Sequence, residues 1–318
     1  MGQARSGIAP AALGAAGVTV VLWAAAFVGI RAAGADFAPG SIALARLTTG
    51  TLILGVLVLA RGWVRPTRRE LVLVLGVGAT WFATYNVVLN EAERIVDAGT
   101  AAMLVDTGPI LIAILAGLFL SEGFPPSLFA GSLVAFAGAV VIGVATSEAS
   151  VTSRAAGPSA AGILLCLVAA TVYAVGVTLQ KPVLGRLPAV QVTWMACLVG
   201  AALCLPFAPG LVTDLGRAHP DGVAWLAFLG VFPTSIAFTT WAYALGRTTA
   251  GALGATTYLV PPIAIVLGWL LLGEAPPLVA LGGGGLCIAG VIVARSRELR
   301  LPGRTSIRTA DTGAGPER

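Results

Sequence analysis

Long apolar runs separated by short polar gaps organise this chain. A bilayer-spanning helix needs about 20 mostly apolar residues, and ten stretches approach that length: 11–33, 39–60, 70–90, 96–119, 126–146, 160–180, 188–209, 222–245, 250–272 and 277–294. The gaps carry turn residues such as Pro39-Gly40, Pro125-Pro126, Pro188 and Pro276-Pro277. Proline suits a helix start, where its missing N–H would have no partner anyway. The first run follows Arg5 as a signal peptide would. It is longer than a secretory core of about 7–15 residues, so an uncleaved first helix is expected.

One stretch occurs twice. Ala98-Gly99, Pro109, Leu120-Ser121-Glu122, Gly131 and Ala137-Gly138 return, 152 positions on, as Ala250-Gly251, Pro261, Leu272-Gly273-Glu274, Gly283 and Ala289-Gly290. Five spans per half is an odd number, so the second half enters the membrane from the opposite side. The expectation is an all-α integral membrane protein of ten transmembrane helices in two inverted five-helix repeats, 11–146 and 160–294, followed by a disordered cytoplasmic tail, 295–318. Inverted repeats are common in secondary transporters, with the substrate near the midplane between the halves. A duplicated membrane protein that transports nothing is the competing expectation.

Composition agrees with the pattern. Of the residues 57% are hydrophobic and 10% charged, with mean hydropathy +0.93, against about 25% charged in soluble domains. The net charge of +5 does not point to nucleic acid, because the cations sit in alternate loops. Arg61, Arg65, Arg68, Arg69, Lys181, Arg186, Arg247 and the tail arginines fall on one side. Only Arg31, Arg94, Arg154 and Arg217 fall on the other. Positive loops face the cytoplasm, which puts both termini there and makes the protein multi-pass in the plasma (inner) membrane. The tail's cations could also touch anionic lipid, and an oligomer is compatible with the sequence. Cys166, Cys197, Cys204 and Cys287 lie inside apolar runs and His219 is the one histidine, so neither a metal site nor a cofactor is expected.

The intramembrane polar residues are the candidate chemistry. Asp106 lies about a dozen residues into the fourth span, near the midplane at 1.5 Å per residue, where a carboxylate costs about 2.5–3.5 kcal/mol on insertion scales. Arg46, in the second span at a similar depth, is its candidate partner, and protons are a candidate co-substrate. Trp23 on span one, then Trp81, Tyr85, Asn86 and Asn90 on span three, form one part of a candidate cavity lining. Tyr173 and Gln180 on span six, Trp241 and Tyr243 on span eight, and Tyr258 on span nine form the other. Asn86 and Asn90 share a helix face, as do Tyr173 and Gln180. Pro109 and Pro261 are expected to kink spans four and nine, as hinges or for packing alone. Glu122 and Glu274 are expected to cap the helices that follow them, and the small residues at 131, 135, 138 and 283, 287, 290 to let two helices approach closely.

The repeated motif, with Arg46 after Pro39 and Tyr243-Ala244-Leu245 before the second copy, resembles the EamA-type transporters of the drug/metabolite transporter superfamily. The resemblance runs over the chain to Ala294. It implies a ten-helix, two-repeat carrier of the inner membrane, commonly an exporter of amino acids, metabolites or drugs, walled by spans one, three, four, six, eight and nine. Arg46 departs from repeat symmetry, with no arginine near Met195. An intramembrane enzyme acting on lipid would need a nucleophile–base pair at membrane depth, and the sole histidine is in a loop. A scaffold without transport is the remaining alternative.

Overall fold

A computed structural model describes residues 10–95, 98–150, 160–272 and 277–296. Every regular element among them is helical. The chain runs α1 (Pro10–Ala33), α2 (Pro39–Arg61), α3 (Arg68–Val77), a π-helical turn (Gly78–Thr84), α4 (Tyr85–Ile95), α5 (Ala98–Val105), α6 (Gly108–Phe119) and α7 (Pro126–Ser150). It continues as α8 (Ala160–Val183), α9 (Ala189–Leu203), α10 (Ala208–Leu215), α11 (Pro220–Leu229), a second π-helical turn (Gly230–Ile236), α12 (Ala237–Leu245), α13 (Ala250–Thr256), α14 (Val260–Leu272) and α15 (Leu278–Ala294). Among the described residues seven helices are long and apolar enough to cross a bilayer, and Ala189–Leu203 with Leu205–Leu215, bent by 53°, would make an eighth. Met103–Phe119 and Leu278–Ala294 are apolar but shorter.

The outer faces carry the sign of a lipid solvent. Leu52, Val56 and Leu59 on α2, Leu118 and Phe119 on α6, and Leu278 on α15 all point out of the bundle. Contiguous exposed apolar faces of this kind have no place in water.

Where the structure departs from the sequence expectation, the cause is local. The seventh span, expected over 188–209, ends at Leu203, and α10 follows at an angle, because Pro206 and Pro209 interrupt the helix ladder. The third span runs from Arg68 to Ile95 through its π turn. It starts on a complete capping box, in which Thr67 accepts from the Glu70 amide and Glu70 returns the bond to the Thr67 amide. Arg186 of the α8–α9 loop clasps the same Glu70 through Nε at 2.8 Å and through Nη2, and donates to the Arg65 carbonyl at 2.9 Å.

The two halves meet in reciprocal contacts. A methyl built on Gly131 would lie 2.2 Å from the Ala294 nitrogen and 2.5 Å from the Gly290 oxygen. One built on Gly283, the counterpart of Gly131, would lie 2.8 Å from the Gly138 oxygen and 3.1 Å from the Ile142 nitrogen. Gly138 meets Cys287, Gly290 meets Ala135, and the Cys287 thiol donates to the Ala135 carbonyl at 3.4 Å. Ala135 and Cys287 are themselves counterparts. Helices α7 and α15 therefore cross antiparallel, with residue i of one touching j of the other and j touching i, as about a two-fold axis.

The same reciprocity recurs between α2 and α9. Gly50 faces Cys197 and Thr234, and Gly200 faces Leu47 and Phe82, the counterparts at displacements of 150 and 152. Gly78 faces Val199, and Gly230 faces Thr49. Even the π turns are matched, since Gly78–Thr84 and Gly230–Ile236 are 152 apart.

Two surface features yield predictions. Glu122 Oε1 accepts from the Ala250 amide at 2.7 Å and Oε2 from the Gly251 amide at 3.1 Å. It caps α13 in the other half, rather than the helix that follows it in the chain; long-range packing brings those amides within reach. Glu274 lies outside the described residues. Removing a cap costs about 0.5–2 kcal/mol, so Glu122→Ala is expected to lower the Tm of the detergent-solubilised protein clearly, and Glu122→Gln less. A thermal melt equal to wild type would show that the cap carries no weight.

At the opposite end of α1, Asp36 Oδ1 lies 2.9 Å from His219 Nδ1 and accepts from the His219 amide at 3.3 Å. Its hydrogen bond to Asp36 holds His219 above its ordinary pKa of 6.5, and the same bond holds Asp36 below 3.8. The histidine's contribution to stability is complete below 6.5 and fades as pH rises through its raised pKa. That of Asp36 is complete above 3.8 and fades as pH falls through its lowered pKa. His219 is exposed to solvent and Asp36 partly so, which keeps the effect small. Wild type is expected to lose slightly more Tm than His219→Ala between pH 6 and pH 8, read by paired thermal melts; parallel profiles would dismiss the pair.

Candidate functional site

The site begins with a broken helix. Pro109 has no N–H for the Val105 carbonyl, so the helix stops at Val105 and resumes at Gly108. Thr107 turns its hydroxyl back to the Leu104 carbonyl at 2.7 Å. Asp106 sits in that break. Pro261 and Pro262 act alike in the other half, where α13 ends at Thr256 and a 3₁₀ turn, Thr257–Leu259, precedes α14. The Thr257 hydroxyl takes the Gly254 carbonyl at 2.7 Å. The expected kinks are thus interruptions. Tyr173 of α8 lies across the first of them, because Gly108 leaves room: a methyl there would be 2.8 Å from its ring.

A cavity of about 90 Å³ adjoins the break. From the first half it is walled by Trp23, Phe27 and Ile30 of α1, Arg46 of α2, and Trp81, Tyr85 and Asn86 around the first π turn. Asp106, Tyr173, Phe238 and Thr257 complete it. Aromatic rings close one end. Trp23 stands 5.0 Å from Trp241, 5.4 Å from Phe238 and 6.0 Å from Trp81, and Tyr173 stands 5.3 Å from Trp81. Such edge and tilted pairs add about 0.5–1.5 kcal/mol each beyond area burial.

Two residues of opposite formal charge border this space. Arg46, 5% exposed, donates from Nε to the Thr234 hydroxyl at 2.9 Å, and that hydroxyl donates to the Leu229 carbonyl at 2.8 Å. Asp106 Oδ2 is buried and accepts no hydrogen bond. The two share the cavity, and the Arg46 Nε is directed to the π turn of the other half, which offers Thr234 as an acceptor. Asn86 uses its amide on the Phe82 carbonyl at 2.7 Å. π turns gather at functional sites in helical proteins, and here one carries Trp81 and the other Thr234.

Of the residues expected at the site, Trp23, Arg46, Tyr85, Asn86, Asp106 and Tyr173 converge on this cavity. Asn90 does not; it donates to the Pro39 carbonyl at 3.1 Å and joins α4 to the start of α2. Trp241 lies behind the aromatic end, Gln180 is fully buried, and Tyr258 is buried with Ala135, Ile142 and Cys287 beneath the α7–α15 seam. Tyr243 stacks under the Arg247 guanidinium, 3.6 Å away. Phe27, Ile30, Phe238 and Thr257 were missed, since an apolar side chain or a threonine in a spanning helix carries no signal of its own.

A larger hollow of about 660 Å³ lies at the far end, between Arg61, Trp63, Pro188 and Arg247. In its wall Gln191 exchanges two bonds with the Val64 backbone at 2.7 and 3.0 Å. Neither Asp106 nor Arg46 reaches it.

The comparisons with known proteins agree with this architecture. The model of the EamA-like transporter family matches residues 11–144 and 160–296. The chain is 37% identical over 293 residues, 90% of its length and 96% of the relative's, to a probable terminal-alkyne amino-acid exporter of Streptantibioticus cattleyicolor. It is 30% identical over 85% of its length, and 86% of the relative's, to an uncharacterized transporter of Bacillus subtilis. It is 27% identical over 70% of its length, and 72% of the relative's, to an aromatic amino acid exporter of Ancylobacter novellus. A chain of known structure superposes with a TM-score of 0.72 at 23% identity, covering 92% of this chain and 99% of its own. The protein belongs to the EamA-like transporter family.

Proposed function

We propose that the protein is a secondary exporter of small zwitterionic amino acids, working by alternating access. The carrying observation is the cavity bordered by Arg46 and Asp106 with aromatic walls. A guanidinium suits the α-carboxylate of such a substrate, and Asp106, buried and with one oxygen lacking a partner, suits its ammonium. Trp23, Tyr85, Tyr173 and Phe238 would hold the side chain. The amino-acid exporters among the relatives favour the same substrate class.

The reading takes ten spans in two inverted repeats, residues 11–146 and 160–294, in the inner membrane with both termini cytoplasmic. The reciprocal contacts between halves support it, as does the bias of arginine and lysine to alternate loops. In that orientation the cavity lies in the outer half of the bilayer. On that reading Trp23, Trp81, Phe238 and Trp241 lie on its cytoplasmic side, the arrangement of an outward-facing state. Protons are the proposed coupling ion, with Asp106 as the group that carries them. A cell-based efflux assay tests the function: cells expressing the protein should resist propargylglycine and accumulate it in the medium, and equal intracellular levels with and without the protein would refute export of that class.

A further inference from the structure

The hollow of about 660 Å³ between Arg61 and Arg247 takes no part in the proposed transport site. Its size falls within the range of small-molecule pockets, about 300–1,000 Å³. It lies where α2 and α12 finish, at the end of the bundle that the arginine bias assigns to the cytoplasm. Two guanidinium groups border it and, among the described residues, no carboxylate does. Arg247 is held in place, 3.6 Å over the Tyr243 ring, with Nη1 donating to the Tyr243 carbonyl at 3.0 Å. Arg61 ends α2 with its side chain exposed.

Away from the arginines the wall turns apolar. Val58 precedes Arg61 by three residues and Thr239 precedes Tyr243 by four, so both lie one turn nearer the bilayer. Leu184 and Leu187 of the α8–α9 connection add to that wall. The Thr239 hydroxyl is buried there without a hydrogen-bond partner, and such an orphan calls for a specific reason. Past the hollow, Ile236 on the approach to α12 is 39% exposed, and Val18, one turn from Ala15 in the wall, is 44% exposed. Trp63, half exposed and edge-on to Trp194 at 5.8 Å, marks the headgroup level at the rim.

We propose that this hollow holds the headgroup of an anionic phospholipid of the cytoplasmic leaflet. Arg61 and Arg247 meet the phosphate, whose oxygens suit the guanidinium fork. The Thr239 hydroxyl meets the glycerol region, and the acyl chains lie along Ile236 and Val18. Basic pockets between spans on the cytoplasmic side receive anionic headgroups in this way. A zwitterionic headgroup would bring its ammonium against two guanidinium groups. A free phosphate would leave the apolar wall and the exposed faces beside it unused. The site requires the membrane setting and orientation, and is independent of the proposed cargo.

Native mass spectrometry of the detergent-solubilised protein, titrated with phosphatidylglycerol or with phosphatidylcholine of the same chains, tests the site without any transport step. Wild type is expected to retain one phosphatidylglycerol at a concentration at least about tenfold below that needed for phosphatidylcholine. Arg61→Gln and Arg247→Gln should each weaken that retention about fivefold, and the double variant should lose the preference. Arg68→Gln removes the same charge outside the hollow and should leave the preference intact. Equal retention of the two lipids, or equal weakening by Arg68→Gln, would overturn the site. Displacement of phosphatidylglycerol by an equal concentration of glycerol 3-phosphate would assign the hollow to a free anion instead. Displacement by propargylglycine would make it a vestibule for cargo, and either result would overturn the lipid.

Discussion

Replacing Arg46 by alanine is expected to raise the KM for exported amino acid about 10- to 100-fold, with the protein still folded. The magnitude follows from a hydrogen bond to a charged group, worth about 1.5–3 kcal/mol, where about 1.4 kcal/mol is tenfold. Arg46 borders the cavity and is held in place by the Thr234 hydroxyl at 2.9 Å. Arg46→Lys keeps a cation but loses the planar fork and the Nε bond, so it should fall between alanine and wild type. Transport kinetics in proteoliposomes separate the cases. An unchanged KM in Arg46→Ala would take the guanidinium out of the substrate site.

The second large effect is structural and sits where the halves touch. At Gly138 a methyl would lie 2.5 Å from the Gly283 oxygen and 2.7 Å from the Cys287 nitrogen. Both are backbone atoms that cannot rotate away. Gly138→Ala must part α7 from α15, at the cost of about 1–3 kcal/mol typical of overpacking. Gly138→Leu is expected to abolish monodisperse protein in a detergent extract, read by size-exclusion chromatography. The glycine run of α15 contains its own controls. Methyl groups on Gly282 and Gly285 meet nothing within 4 Å, so alanine there should be neutral or gain up to about 1 kcal/mol in helix propensity. Equal loss at Gly138 and Gly285 would contradict the seam.

How much of this could be read in the residues depended on the range of the interaction. The apolar runs and the 152-residue repeat are one-dimensional signals, and they locate most of the helices, whereas the span expected over 188–209 breaks at Leu203 and two of the apolar helices are short. Asp106 and Arg46 stand out because charge inside an apolar run is expensive. The π turns at Gly78–Thr84 and Gly230–Ile236 have no residue signature, yet they place Trp81 at the cavity and Thr234 against Arg46. Glu122 reads as a cap from its place before Pro125-Pro126, but its amides belong to Ala250 and Gly251, 128 and 129 positions away. Gln180 and Tyr258 were legible as intramembrane polar groups; that they lie apart from the cavity depends on packing between distant helices, which no local pattern records.

Exchange of L-phenylalanine across proteoliposomes, measured beside phenethylamine and 3-phenylpropionate, tests the central claim most directly. The three share an aromatic ring and differ in whether they carry both charges, one ammonium or one carboxylate. A site bordered by Arg46 and Asp106 predicts fast exchange of the amino acid and little of either analogue. Equal exchange of an analogue lacking one charge, or no exchange of any amino acid by folded protein, would contradict it.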